Sequence, residues 1–419
     1  MPKVSSFLTK FTYLLVITGF FGTKLFTLNL GFFELSIFRI VVFVAFFLFL
    51  NDKTNISSRY GVKYYTFLKI WVLYSLFLLI TVVDIVGYIK YFIFLFSALI
   101  LSYFTTLSLT KKEDYIKILK WFEYISLIFA SIGVYEIFTG DYRFAQENSF
   151  EFYQAKSMLV STIGMRIPMS VFANPNDFGL FLLFSFFVSL ALFYCKNKRI
   201  GKSFSLLLSL LFSFLIVATQ SRSIFMSLVA GIVIWLYFDF RHWNSSTKLL
   251  TILLLFLSAS SILSWLIANQ DLYIALVSAE EGSDSARLSL IKYGFVILGD
   301  TFLLGTNIGN VEAHMAEYTA YTNGVVNIHN WWMEVLVSSG VIIFFYYIRI
   351  YIKQLLFFLK HIYKTNDRTV YRINQAFLCF MITFGFGSIT SSSIFPTEWM
   401  WTAFTIIFAF PEVYKSKNN

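Results

Sequence analysis

Long apolar stretches recur from one end of this chain to the other, and that feature limits its fold more than any other. Phe67–Ile80, Phe92–Leu109, Phe178–Tyr194 and Leu249–Ile267 are examples. An α-helix rises about 1.5 Å per residue and a bilayer core is about 30 Å thick, so about 20 apolar residues cross it. Strands of a membrane barrel would alternate polar and apolar residues, and these runs do not. Lipid is the solvent that suits such a chain. Its residues are 58% hydrophobic and 13% charged, against roughly 25% charged in a soluble domain. A mean hydropathy of +0.71 and 52 phenylalanines would leave a water-soluble fold with far too much apolar surface. The expected fold is therefore all-α, a polytopic integral membrane protein forming one domain over residues 1–419. The sequence shows no internal repeat and no Pro- or Gly-rich linker.

About twelve spans are expected, near 11–28, 35–50, 67–84, 90–108, 121–138, 171–194, 203–219, 224–240, 249–267, 329–350, 374–391 and 398–413. With the N-terminus in the cytoplasm, the alternate loops that face inward hold 23 of the 33 basic residues. The reverse orientation would invert that bias, so both termini are expected in the cytoplasm of a plasma-membrane protein. The net charge of +10 is thereby accounted for without nucleic acid. Lys3 and Lys10 precede the first run as in a signal peptide, but no small-residue cleavage site follows, so a retained anchor is expected. Cys195 and Cys379 fall at or within apolar segments and suggest no disulfide framework. Two outer segments are long: 139–170, and an extracytoplasmic loop over 268–328 between the ninth and tenth spans. Within the larger, Leu288, Ile291, Phe295 and Leu298 recur at helical spacing, which predicts an amphipathic helix on the outer surface or over a cavity.

Four polar stretches fall on the outer side of this map. Gln220-Ser221-Arg222-Ser223 interrupts two apolar runs. Arg222 there fits either a snorkelling side chain in a turn or an anion site, since a guanidinium matches phosphate bidentately. His329-Asn330-Trp331-Trp332-Met333-Glu334 begins where the large loop re-enters the membrane. The imidazole fits a proton acceptor for a sugar hydroxyl, or an interfacial helix-start residue beside belt tryptophans. Asn174-Pro175-Asn176-Asp177 reads as a turn and helix cap that leaves the upstream Arg166 unexplained. Arg287 precedes Gly305-Thr306-Asn307-Ile308-Gly309-Asn310 and fits a second phosphate ligand or a surface charge equally well. The sequence holds no phosphate-binding glycine loop, no His/Cys cluster and no cytoplasmic acidic dyad, so neither a metal nor a cofactor is expected.

Together these stretches resemble the O-antigen ligase and polysaccharide polymerase (Wzy-type) superfamily over roughly residues 130–400. The resemblance rests on Tyr135-Glu136…Thr139-Gly140, Arg166…Asn174-Pro175-Asn176, Ser221-Arg222, Arg287…Gly305…Gly309, and His329-Asn330 with Gly340 beyond. The His-Asn-Trp-Trp…Glu form and Ser391-Ser392-Ser393 look most like polymerases of Gram-positive capsule, exopolysaccharide or teichuronic acid clusters. One departure is Ile343, which stands where the family often has a second glycine.

The resemblance implies a metal-independent membrane glycosyltransferase acting on undecaprenyl-diphosphate-linked oligosaccharide at the outer leaflet. It implies His329 and Arg222 as catalytic residues, with Arg287, Arg166, Glu334 and Asn330 binding diphosphate or substrate. A flippase and a chain-length regulator of the same pathway are implied partners. A ligase shares the donor chemistry and stays open as an alternative. A lipid-linked oligosaccharide flippase is the rival from another class. It would place charges near mid-bilayer, where this sequence offers only Lys24, Arg39 and Asp84.

Overall fold

The computed structural model describes residues 6–22, 27–29, 34–52, 54, 56–145, 164–240, 244–246, 281–322, 324–391 and 395–415. Its helices are α1 (Ser6–Phe21), α2 (Ile37–Asn51), α3 (Val62–Phe77), α4 (Ile85–Ser108), α5 (Lys112–Thr139), α6 (Pro175–Cys195) and α7 (Arg199–Ala218). They continue with α8 (Arg222–Phe240), α9 (Glu281–Asp300), α10 (Val311–Met315), α11 (Trp331–His361), α12 (Arg368–Gly387), α13 (Glu398–Ala409) and α14 (Glu412–Lys415). Seven described helices, α3 with its 3-10 extension to Thr81, α4 to α8 and α11, are long and apolar enough to cross a membrane. The chain is a polytopic integral membrane protein.

Several expected boundaries move. The first two spans are shorter than expected, and β1 (Thr27–Asn29) pairs antiparallel with β2 (Glu34–Ser36) between them, a small departure from an all-α fold. Asp84 is not a mid-span charge. It stands at the turn between α3 and α4, where its Oδ1 accepts the N–H groups of Val86 and Gly87 at 3.0 Å and caps α4. The expected span 398–413 breaks near Pro411, leaving the twelve-residue α13, about 18 Å of helix at 1.5 Å per residue. The expected span 249–267 lies outside the described residues, as does 268–280 of the large loop.

The centre of the bundle is α6. Its sequence is apolar on every side, and a helix of that kind has to be surrounded. It packs against α5, α7, α8 and α12, with Phe178, Leu180 to Phe184 and Phe187 fully buried. Where the helix starts that carry Lys and Arg gather, four ion pairs join distant segments. They are Arg59–Glu412 at 3.0 Å, Lys112–Asp367 at 2.6 Å, Lys196–Glu123 at 2.5 Å and Arg372–Asp239 at 2.6 Å. The opposite end carries the starts of α6, α8 and α11 and the last turn of α12. All four polar stretches singled out from the sequence lie toward that end.

Candidate functional site

At this end the starts of α6, α8 and α11 meet the C-terminus of α12, and helix ends leave backbone groups that need partners from outside the helix. The α11 start is joined to the α12 end backbone to backbone, and side chains make the other contacts. The backbone N–H of Trp331, first residue of α11, donates to Ser388 O at 3.0 Å, and the Trp332 indole donates to Gly385 O at 3.0 Å. Asn176 Nδ2 in the first turn of α6 donates to Thr390 O at 3.0 Å. The hydroxyls of Ser223, in the first turn of α8, and Thr390 share a short hydrogen bond. The segment from Gly385 to Thr390 thus clasps the Asn-Pro-Asn, Ser-Arg and His-Asn stretches together.

Small residues let the α8 start come close enough. Ile224 fits between α6 and α12, and a Cβ added at Gly179 or Gly387 would stand 3.1 Å from its side chain. Arg222, two residues earlier, is carried by that wedge to the end of the bundle, where its side chain is exposed. The α7–α8 turn before it puts Gln220 at φ 55°. Ser170 and His329, each shortly before a helix start, have φ 55° and 50°. Such a backbone costs on the order of 1–3 kcal/mol per residue and persists only where its surroundings impose it.

Arg166 has a clear structural job. Its Nη1 donates to Ile137 O at 3.2 Å and Phe138 O at 3.0 Å, closing the C-terminus of α5, where a cation also suits the helix dipole. Gly140 completes that end at φ 70°, and a Cβ there would lie 2.7 Å from Arg166 Nε. Glu136 is fully buried, and its Oε2 accepts the N–H groups of Met169 and Ser170 at 2.8 and 2.7 Å. Tyr135 donates from its hydroxyl to Asp141 Oδ2 at 2.8 Å. The Tyr135-Glu136…Gly140 and Arg166 stretches therefore meet as one latch, which holds the segment leading to Asn174.

The α11 helix is broken at Gly340 (φ 69°, ψ 176°). An interrupted helix in lipid has to recover its lost backbone bonds from neighbouring protein. Thr306 N donates to Val337 O at 2.9 Å and Val341 N donates to Leu303 O at 3.1 Å, which repairs the break. Onward, Asn307 Nδ2 donates to Ser75 O at 2.8 Å, and Asn310 Oδ1 accepts from Val83 N and Asp84 N at 2.8 and 2.7 Å. The Gly305–Asn310 stretch is thus a joint between broken α11 and the α3–α4 turn. The buried face of α9 overlaps the expected one only at Leu298 and, in part, at Ile291. Leu290, Gly294, Ile297 and Leu298 pack on the first half of α11, whereas Leu288 and Phe295 are exposed. Apolar residues occur on more than one side of α9, so spacing alone could not choose the side that meets protein.

That packing brings Arg287 of α9 into electrostatic contact with His329. Burial first, and the Arg287 charge second, hold the imidazole below its ordinary pKa of 6.5. Both disfavour the imidazolium, so the ring is kept neutral. His329 N donates to Asn327 Oδ1 at 2.9 Å, and Asn330 Oδ1 caps α11 by accepting from Trp332 N and Met333 N at 3.1 and 3.2 Å. Glu334 is buried one turn further on. It lines a cavity of about 120 Å³ with Asp84, Tyr91, Glu312 and Asn327. Among the described residues no group of three or more His, Cys, Asp or Glu is placed to hold a metal ion. Sequence reasoning missed Gly179, Ile224, Gly387 and Thr390. The polar run through Thr390 and Ser391 was their only visible sign.

Residues 204–348 match the family model described as O-antigen ligase. The matched region is about a third of the chain. This region includes Arg222, Arg287, the Gly305–Asn310 joint, His329, Asn330, Glu334 and the Gly340 break, while Arg166 and Asn174-Pro175-Asn176 lie before it. The chain is also similar to the teichuronic acid biosynthesis protein TuaE of Bacillus subtilis (strain 168). The two are 25% identical over 421 residues, covering 95% of this chain and 83% of the relative. That breadth extends the likeness well beyond the O-antigen ligase region.

Proposed function

We propose that this protein polymerises undecaprenyl-diphosphate-linked oligosaccharide repeats into a surface polysaccharide at the outer leaflet of the plasma membrane. The observation that carries the reading is the clasp: one short segment gathers the starts of α6, α8 and α11, with Arg287 acting on His329 beside them. Polysaccharide synthesis by a ligase- or polymerase-type membrane enzyme is the broader class, supported by the family match and by the teichuronic acid relative.

The chemistry asks for three things. An acceptor hydroxyl oxygen attacks the anomeric carbon of the donor repeat, and the bond from that carbon to the diphosphate oxygen breaks. The electron pair leaves with undecaprenyl diphosphate, and guanidinium charge at Arg222, seconded by Arg287, stabilises it. The hydroxyl proton passes to His329, whose depressed pKa keeps the imidazole in the accepting form. Asn330 and Glu334 orient His329 and the acceptor sugar. Arg166 acts at a distance, through the latch that sets the α6 start. No metal enters this scheme, and a chelator is expected to leave activity unchanged.

A flippase is less well supported. Alternating access would have to open the basic end, where the four long-range ion pairs tie the helices together. The deciding experiment is a deletion strain examined for polysaccharide length. Single repeats on lipid at the outer face support a polymerase, long unattached chains a ligase, and repeats trapped inside a flippase. Complementation with Arg222→Ala should restore nothing although the protein reaches the membrane. Full-length polysaccharide in that strain would remove Arg222 from the mechanism.

A further inference from the structure

We propose that Thr390 is a positioning residue that fixes the Arg222 helix start against the Asn176 helix start, from a segment that also holds the start of α11. The inference rests on the glycosyl-transfer reading above and adds a residue to it. Thr390 is used twice. Its carbonyl accepts from Asn176 Nδ2 at 3.0 Å, and its hydroxyl pairs with Ser223, the neighbour of Arg222. Two residues earlier, Ser388 O accepts the first N–H of α11 at 3.0 Å.

Apolar packing at the helix starts, such as Ile224 against Gly179 and Gly387, resists separation but permits sliding. Directional hydrogen bonds set the register that packing leaves loose. The linkage matters because the leaving diphosphate and the attacking hydroxyl belong to different molecules. The groups serving them sit on different helices, Arg222 on α8 and His329 at the entrance to α11. A displacement of about 1 Å between such groups can lower turnover about 100-fold without loss of substrate affinity. On Thr390 itself a side-chain change removes the hydroxyl alone, since the carbonyl survives any substitution.

The test uses the full-length protein in lipid nanodiscs with a lipid-linked oligosaccharide donor. Thr390→Val should lower turnover at least about 10-fold with the donor KM within about twofold of wild type, because alignment is lost and binding is kept. Thr390→Ser should recover turnover to within about threefold of wild type, since it restores the hydroxyl. Ser223→Ala should match Thr390→Val, and the double variant should be no worse than either, as for two halves of one bond. Unimpaired Thr390→Val, additive losses in the double variant, or failure of serine to rescue would each overturn the proposal. If Thr390→Val does not accumulate, Ser223→Ala decides alone, and wild-type turnover in it overturns the clasp. An inert wild-type protein, with either a repeat or a different glycan acceptor, overturns the glycosyl-transfer reading and the clasp together. An active wild type beside an unaffected Thr390→Val overturns the clasp only.

Discussion

Gly305 and Gly340 meet backbone against backbone: a Cβ on Gly305 would stand 2.5 Å from the Gly340 amide nitrogen. Both also have positive φ, 94° and 69°. Alanine at either position would force the repaired break in α11 apart. We expect Gly305→Ala and Gly340→Ala each to cost at least about 1–3 kcal/mol from the backbone alone, with the clash added. A lower melting temperature in detergent, measured for each variant, checks this. Unchanged melting would mean that the break tolerates a side chain.

The Arg166 latch makes a different prediction. Arg166→Ala removes a charged donor from two α5 carbonyls and should lower stability by about 1.5–3 kcal/mol. Its activity loss should follow the loss of folded protein, with the residual enzyme showing a near-normal donor KM. A large rise in KM at full stability would instead mean that Arg166 binds the donor directly. Thermal unfolding and steady-state kinetics on one preparation separate the two.

His329 should impose an acid limb on the pH–rate profile. Its folded pKa lies below the ordinary 6.5, so activity should persist to a pH below that value and fall as the ring takes up a proton. Arg287→Gln removes a positive neighbour. The imidazolium becomes easier to form, the pKa rises, and the acid limb moves to higher pH. An acid limb that stays in place would show that Arg287 does not act on His329. His329→Ala should lower turnover far more than donor binding and abolish the limb.

At the basic end, Asp239 is 2% exposed and accepts from Arg372 Nη1 at 2.6 and 2.7 Å and from Gln375 Nε2 at 3.0 Å. Arg372→Ala leaves that carboxylate buried without its cation, which costs about 3–5 kcal/mol. Arg372→Ala,Asp239→Asn should recover most of the loss, since the stranded charge is gone. Melting temperatures of the single and double variants test this. Because the pair lies far from the helix starts that bear His329 and Arg222, the folded fraction should keep wild-type turnover.

The sequence by itself determined the solvent and the helices. Apolar runs without alternation left only membrane-spanning helices, and short polar stretches marked where those helices begin. It also picked out Arg166, Arg222, Arg287 and His329, because charged or titratable side chains beside apolar runs are costly and therefore legible. Tertiary structure alone decided what each of them touches. Arg166 and Gly140 are far apart in sequence, and no local pattern shows a guanidinium closing a distant helix. The face of α9 that meets α11 was hidden because apolar residues occur on more than one of its sides. Thr390 was hidden for a similar reason. A threonine in a polar turn looks ordinary until the starts of α6 and α8 are folded against it, where Asn176 and Ser223 bond to it.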